Sequence, residues 1–447
     1  MANFSKSNVP QFSVDVYQNE YLPEGGREVN AIVTVSATGG GTVGSVVAAP
    51  LYTAGQAPDA AVAIMVDCSG SMDYPSAKMR GAREATAAAI DAVRDGVHFA
   101  VIGGTHVAKE IFPAGGRLAV ADAGTREQAK QALRRLSAGG GTAIGTWLRL
   151  ADRLLSSADV SIRHGILLTD GRNEHESPED LKAALDSCAG RFTCDARGVG
   201  TDWEVKEVTG IASALLGTAD IVADPAALSA DFTQMMETAM GKEVADVALR
   251  LWTPVGTEIK FVKQVAPTVE ELTERRTEAG PRAGDYPTGS WGDESRDYHV
   301  CVEVPTADIG QEMLAARVSL VIPQSDGSVQ NLGAQGLVRA VWTEDMVAST
   351  SINPQVAHYT GQAELAQVIQ QGLDARKLGD VDGATAKLGR AVQLASASGN
   401  ADTAKLLAKV VDVVDAAAGT VRLKARVEEA DEMTLETRST KTVRVKK

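Results

Sequence analysis

Between residues 58 and 240, short apolar runs alternate with amphipathic stretches, the pattern of strands that cross over through helices into a mostly parallel sheet. AVAIMVD (61–67), HFAVIGG (98–104), HGILLTD (164–170) and TCDARGVG (193–200) are continuous apolar or small-residue runs, as strands covered on both faces require. The gaps predict helices over 76–94, 125–136, 144–155, 178–187 with Ser177 as N-cap, and 225–240. From 242 to 345 the period changes. VADVALRLWTP, EIKFVKQVAP, DYHVCVEVP, ARVSLVIP and GLVRAVW alternate or run apolar between Pro and Gly turns, without helical stretches between them. That is an antiparallel β domain. QFSVDVYQNEYL and EVNAIVTVSAT near the N-terminus also read as strands, so the α/β domain is expected to be inserted into a sandwich built from both flanks.

Residues 361–418 turn helical again: GQAELAQVIQQGLDARKLGD and VDGATAKLGRAVQLASASGN carry apolar or alanine positions at three- and four-residue steps. The second resembles half of a tetratricopeptide unit, but two or three helices fall short of a stable solenoid, which needs about three repeats. A helical hairpin serving as a capping or docking bundle is expected. Beyond Thr420 the tail alternates charge with β-branched residues, and TKTVRV (440–445) suits a strand returning to the β domain. The fold class is thus α/β: a doubly wound, mostly parallel, Rossmann-like sheet, with an antiparallel β domain from the flanks and a C-terminal helical region. In domains, 1–57 is an N-terminal β segment, 58–241 the α/β domain, 242–348 the antiparallel β domain, 353–418 the helical hairpin or bundle and 419–447 a tail.

The length of 447 residues exceeds the roughly 250 at which single cores stop growing, in keeping with several domains. A formal net charge of −14 makes the average surface repel phosphate backbones and anionic lipid, so no nucleic acid or membrane partner is expected. The one local basic run, from Lys441 to Lys447, reads as a solvated tail end. MANFSKSNVPQFSVDVYQNE lacks the apolar stretch of a secretory signal, and no run approaches the roughly 20 apolar residues of a membrane span, so a cytoplasmic location is expected. Cys68, Cys188, Cys194 and Cys301 form no CxxC pair and read as free thiols of a reducing compartment.

Three pieces of sequence converge on one candidate metal site, beyond the carboxyl ends of the strands where a parallel sheet places its binding loops. The first is Asp67-Cys68-Ser69-Gly70-Ser71, in which an apolar strand ends in a carboxylate and the D-x-S-x-S spacing turns two hydroxyls toward the same point. Gly139 to Gly141 then give a pliant loop before Thr142, whose hydroxyl is free to bind an ion. Asp170, ending LLTDG, is the third. Each piece alone also fits an N-cap or a turn; all three in order fit a metal site. Hard oxygen donors without imidazole or thiolate suit Mg²⁺ or Mn²⁺. A dication held by neutral hydroxyls and two carboxylates, with an open position, attracts an outside carboxylate.

DxSxS after a strand, a later threonine behind glycines, and a later TDG resemble the metal-ion-dependent adhesion site of von Willebrand factor A domains. The resemblance covers about 58–240. It implies that Ser69, Ser71 and Thr142 contact the metal, that Asp67 and Asp170 bind it directly or through water, and that the protein works by binding a partner protein with an acidic side chain. Intracellular members commonly serve as scaffolds or regulatory partners, an analogy of fold. The sharpest rival is a phosphatase of the haloacid dehalogenase type, which also ends an apolar strand in an aspartate beside Mg²⁺. That class needs a second carboxylate two residues on as general acid, and here Ser69 stands there. No GxSxG elbow, HExxH or GKS/T phosphate loop occurs, and His98, His106, His164, His175, His299 and His358 read as core or surface residues. A non-enzyme is expected.

Overall fold

Open positions alternate with buried or half-buried ones over the first six residues of β1 (Gln11–Gln18); β2 (Tyr21–Leu22) is short, and β3 (Glu28–Thr38) is buried on both faces from Ala31 to Val33. The computed structural model describes residues 10–38, 59–324 and 327–445. Of the N-terminal segment read as 1–57, residues 1–9 and 39–57 therefore lie outside the described residues, as do the last two lysines of the basic run.

The described residues divide into two units, one of 59–245 with 289–292, the other of 10–38, 246–288 and the described residues from 293 to 445. In the first unit the elements are β4 (Ala60–Asp67), α1 (Ala77–Ala92), β5 (His98–Gly104), β6 (Ala108–Phe112), β7 (Ala119–Val120), α2 (Ala123–Leu133), α3 (Ile144–Leu155), β8 (Ile162–Thr169), α4 (Pro178–Cys188), β9 (Thr193–Val199), α5 (Val205–Ala214), β10 (Ala219–Val222) and α6 (Leu228–Met240). The sheet runs β10-β9-β8-β4-β5-β6, parallel from β10 to β5, with β6 and β7 antiparallel at the edge. Seven of the eight residues of β4 are buried, the continuous burial of a central strand covered on both faces. On one face Val62, Ile64, Val66, Phe99, Val101, Ile166 and Leu168 pack with Met79, Ala82, Ala89, Phe232 and Met236 of α1 and α6. α3 brings Trp147 against the sheet, so close to Gly104 that a Cβ there would lie 2.2 Å from the indole. The fold class read from the sequence is the one observed. The last helix of this unit is shorter than expected, because residues 225–227 form a 3-10 turn before α6.

The second unit adds β11 (Val244–Trp252), β12 (Glu258–Ala266), β13 (Glu270–Glu271), β14 (Thr277–Gly280), β15 (Ala283–Trp291), β16 (Glu294–Glu303), β17 (Glu312–Pro323) and β18 (Val329–Trp342). One sheet is β1-β3-β16-β12-β13 and the other β14-β15-β11-β17-β18-β2, so strands from before and after the α/β insertion share each sheet. β3 pairs with β16 over ten residue pairs, Glu28 opposite Glu303 through Ala37 opposite Glu294. Gly336 of β18 lies where a Cβ would come within 2.9 Å of Val14 and Val16, so the two sheets approach closely at that point.

The C-terminal part holds the short α7 (Met346–Thr350), then α8 (Pro354–Lys377), α9 (Val381–Ser398), α10 (Ala401–Val410), β19 (Val411–Asp415), β20 (Thr420–Leu423) and α11 (Glu429–Arg438). α8 and α9 form the expected helical hairpin, with Gly372 admitting Leu388. The helical expectation for 361–418 ends early, however. VDVVD and TVRL pair as an antiparallel hairpin whose return is made by Gly419 at φ +69, because β-branched residues favour an extended chain. Beyond that hairpin the tail is not strand-like. EADEMTLETR forms α11, with acids in its first turn and Arg438 in its last, as the helix dipole favours. Leu435 joins Leu373, Leu388, Leu407 and Val411 in one core. Residues 440–445 form no strand; one β-bridge, Lys441 with Thr268, joins them to the sandwich, beside backbone bonds from Val269 N–H to Thr440 O at 2.8 Å and from Thr442 N–H to Pro267 O at 3.0 Å.

That tail is clasped by a buried carboxylate. Asp297 receives both arms of Arg444, at 2.8 and 2.9 Å, together with Thr34 at 2.6 Å and Tyr359 at 2.5 Å. The basic end is therefore not simply solvated. Burial would raise the Asp297 carboxyl, but donation from Arg444, Thr34 and Tyr359 outweighs it and holds the group below the ordinary value of 3.8. A lowered folded pKa gives stability that is present above the unfolded value and lost as pH falls through the folded one. Urea unfolding of wild type should therefore weaken across that acid range more steeply than unfolding of Asp297→Asn. At neutral pH Arg444→Met should cost about 1–2 kcal/mol. Equal pH slopes for wild type and Asp297→Asn would refute the assignment.

Candidate metal centre

At the C-terminal end of β4 the chain must turn while carrying a carboxylate into the protein, and Asp67 is fully buried there. Its Oδ1 accepts the Ser69 backbone N–H at 2.8 Å, the Asx-type bond that a D-x-S turn favours. Its Oδ2 accepts the Thr169 hydroxyl at 2.7 Å and, more weakly, the Asp170 N–H at 3.4 Å. Burial pushes the Asp67 carboxyl up from its ordinary range, and the Ser69 and Thr169 hydrogen bonds oppose that.

From Asp67 a line of oxygens runs outward. The Ser69 and Ser71 hydroxyls are 2.9 Å apart, and Ser71 donates to Asp170 Oδ1 at 2.8 Å. Thr142 comes from the glycine loop, and Gly171 lies between it and Ser71. A Cβ on Gly171 would stand 3.0 Å from Ser71 Oγ and 3.7 Å from Thr142 Oγ1. Adjacent oxygens around an octahedral Mg²⁺ at 2.0–2.1 Å are about 2.9 Å apart, so the serine and aspartate spacings suit that ion. All five residues read from the sequence, Asp67, Ser69, Ser71, Thr142 and Asp170, come together. Among the described residues no group of three or more His, Cys, Asp or Glu side chains could hold a metal. The donor set has only two carboxylates, with hydroxyls for the rest. Cys68 points away from this chemistry: burial pushes its thiol up to about 12, which disfavours a thiolate. All four cysteines are free and buried.

The two loops are laced by backbone bonds, Gly70 N–H to Gly140 O and Gly139 N–H to Cys68 O, both at 2.9 Å. Gly140 adopts φ +83, and a Cβ on Gly141 would collide with the His175 ring at 2.2 Å, so glycine is needed at both positions. Composition could not show what fills that space. His106 Nδ1 accepts the Gly141 N–H at 3.4 Å and His175 Nδ1 accepts the Thr142 N–H at 3.3 Å. Both rings are exposed on the rim.

Two further residues escaped sequence reading. Thr169 stands within the LLTDG run and could have been found there. Lys78, on α1, places Nζ 2.7 Å from Asp170 Oδ2 and 3.0 Å from Asp202 Oδ2, and no local motif announces it.

The comparisons with known proteins agree with this geometry. Residues 60–221 match the family model described as von Willebrand factor type A domain, and 393–439 match the von Willebrand factor type A C-terminal domain. A solved structure, von Willebrand factor type A from Catenulispora acidiphila, is 52% identical over 99% of both chains, with a TM-score of 0.91. The chain belongs to the von Willebrand factor type A family. The ArnB paralog VWA2 from Sulfolobus acidocaldarius is 13% identical, with 96% of this chain and 98% of that one covered and a TM-score of 0.58, a likeness of fold alone. No curated protein matches the sequence. Domains of this family generally mediate protein interactions. No described helix is long and apolar enough to cross a membrane.

Thr169→Val keeps the shape of the side chain but leaves Asp67 Oδ2 with only its long bond to Asp170 N–H. The variant should unfold about 1–3 kcal/mol more easily in urea, the cost of an under-satisfied buried acceptor. An unchanged midpoint would show that Asp67 does not depend on that hydroxyl.

Proposed function

We propose that the protein is a non-catalytic scaffold or regulatory protein that binds a partner through a metal-ion-dependent adhesion site. Asp67, Ser69, Ser71, Thr142 and Asp170 would hold Mg²⁺ or Mn²⁺, and an acidic side chain of the partner would complete the ion's coordination. The observation that carries this is the line of oxygens from Ser69 to Ser71 to Asp170 at 2.8–2.9 Å, a spacing suited to a small hard dication. Family membership supports the interaction role.

The phosphatase alternative finds no support. Ser69 occupies the position where that class carries its general acid, and no family match points to it. The free, buried thiols fit a reducing compartment and the expected cytoplasmic location. The acidic chain, at −14, is suited to neither nucleic acid nor anionic lipid.

Calorimetry with MgCl₂ should detect binding to wild type and none to Asp67→Ala or Asp170→Ala, with circular dichroism confirming that both variants fold. Variants that fold and bind as wild type does would mean the site is misassigned. Partner capture from lysate should fall at least tenfold in EDTA and in Ser69→Ala/Ser71→Ala, as expected from losing a charge-assisted contact of roughly 2–5 kcal/mol. Capture that persists in EDTA would move the interaction to another surface. A panel of phosphomonoesters and peptides should show no turnover; hydrolysis lost in Asp67→Asn would revive an enzyme.

A further inference from the structure

Asp170 is the one site carboxylate that already has a cation against it. Lys78 reaches across from α1 and sets Nζ 2.7 Å from Asp170 Oδ2, with side chains 11% and 0% exposed. That oxygen is buried, and the Lys78 ammonium is the charge set against it. The same ammonium touches a second acid, Asp202 Oδ2, at 3.0 Å, whose side chain is 68% exposed. Lys78 thus stands between a buried carboxylate of the metal site and an open carboxylate outside it.

We propose that Lys78 is a resident counter-ion of the metal site: it weakens divalent-cation binding and strengthens capture of an external carboxylate by the loaded site. The inference rests on the adhesion-site reading above and concerns its charge balance. Asp67 and Asp170 together carry two negative charges when ionised, which a dication alone would cancel. With Lys78 in place the buried group carries one net negative charge before the ion binds and one net positive charge after. A charge a few ångströms away, shielded from water, acts far more strongly than a surface charge. The metal must therefore share Asp170 with an ammonium, and the loaded site keeps an excess positive charge that an incoming carboxylate neutralises. Asp202 offers Lys78 a second seat 3.0 Å away, so the ammonium can lean from Asp170 toward Asp202 without entering solvent unpaired.

The test uses MgCl₂ and sodium acetate on the full chain. By calorimetry, Lys78→Met should bind Mg²⁺ at least tenfold more tightly than wild type, whereas Lys78→Arg should stay within about threefold of wild type. Asp202→Asn, which leaves the ammonium only Asp170, should bind Mg²⁺ more weakly. Acetate binding to the Mg²⁺-loaded protein, followed by NMR shifts of labelled protein, should weaken in Lys78→Met. A merely structural role for Lys78 would lower both affinities together; the counter-ion role moves them in opposite directions. Metal binding in Lys78→Met equal to or weaker than in wild type overturns the inference while leaving the adhesion site standing. Should Lys78→Met fail to fold, unchanged or tighter Mg²⁺ binding in Asp202→Asn overturns it. If neither wild type nor any variant binds Mg²⁺, the adhesion-site reading falls and this inference with it.

Discussion

A carboxylate buried at the end of a central strand is the constraint from which the α/β unit's working end follows. Taking an ionised group out of water costs several kcal/mol unless hydrogen bonds or charges replace its hydration. Asp67 meets that demand with a turn N–H from Ser69 and a hydroxyl from Thr169 on the neighbouring strand β8. Each solution fixes something further. The Ser69 bond shapes the turn that aims two hydroxyls outward, and the Thr169 bond sets the end of β8 so that Asp170 faces Ser71. The glycine loop then closes over the turn through paired backbone bonds. One acid placed where water cannot reach it thereby organises three separate chain segments.

Much of this was legible because it is local. Strands buried on both faces read as unbroken apolar runs, and the five site residues sit in short motifs whose order survives without knowledge of their contacts. What escaped reading depends on tertiary meeting. Lys78 looks like any lysine on a helix until α1 packs beside β4, and His106 and His175 become rim residues only because two distant loops bring them to the glycines. The C-terminal error has a different cause. VVDVVDAAAGT follows a helix and is rich in alanine, so the periodicity suggests continuation, while the β-branched pairs and Gly419 turn the chain into a hairpin. EADEMTLETR reads as a charged tail because its charges hide the few apolar residues, Met433 and Leu435, that dock it.

The same pattern of burial explains why the second unit needs parts from both flanks of the insertion. β3 alone presents Val29, Ile32, Val33 and Val35 to the interior, and without β16 and β12 its edges and apolar side chains would be open to pairing with other chains. α8 completes the cover, with Val356 and Tyr359 packing on Ile32 and Val265. The similarity to the Catenulispora acidiphila structure extends over 99% of the chain, so the sandwich and the helical end belong to the shared architecture as much as the metal-site unit does.

The clasp on Asp297 joins Thr34, Tyr359 and Arg444, residues drawn from nearly the whole span of the chain. A ribosome makes the chain from its N-terminus, so β1 and β3 emerge long before β16, which pairs with β3, and the clasp cannot close until Arg444 has left the exit tunnel. The α/β strands pair among neighbours made close together in time and are free to fold while the sandwich waits half-built. The middle of the polypeptide is thus complete before β3 meets β16, and the oldest strands carry contacts that only the last residues made can supply.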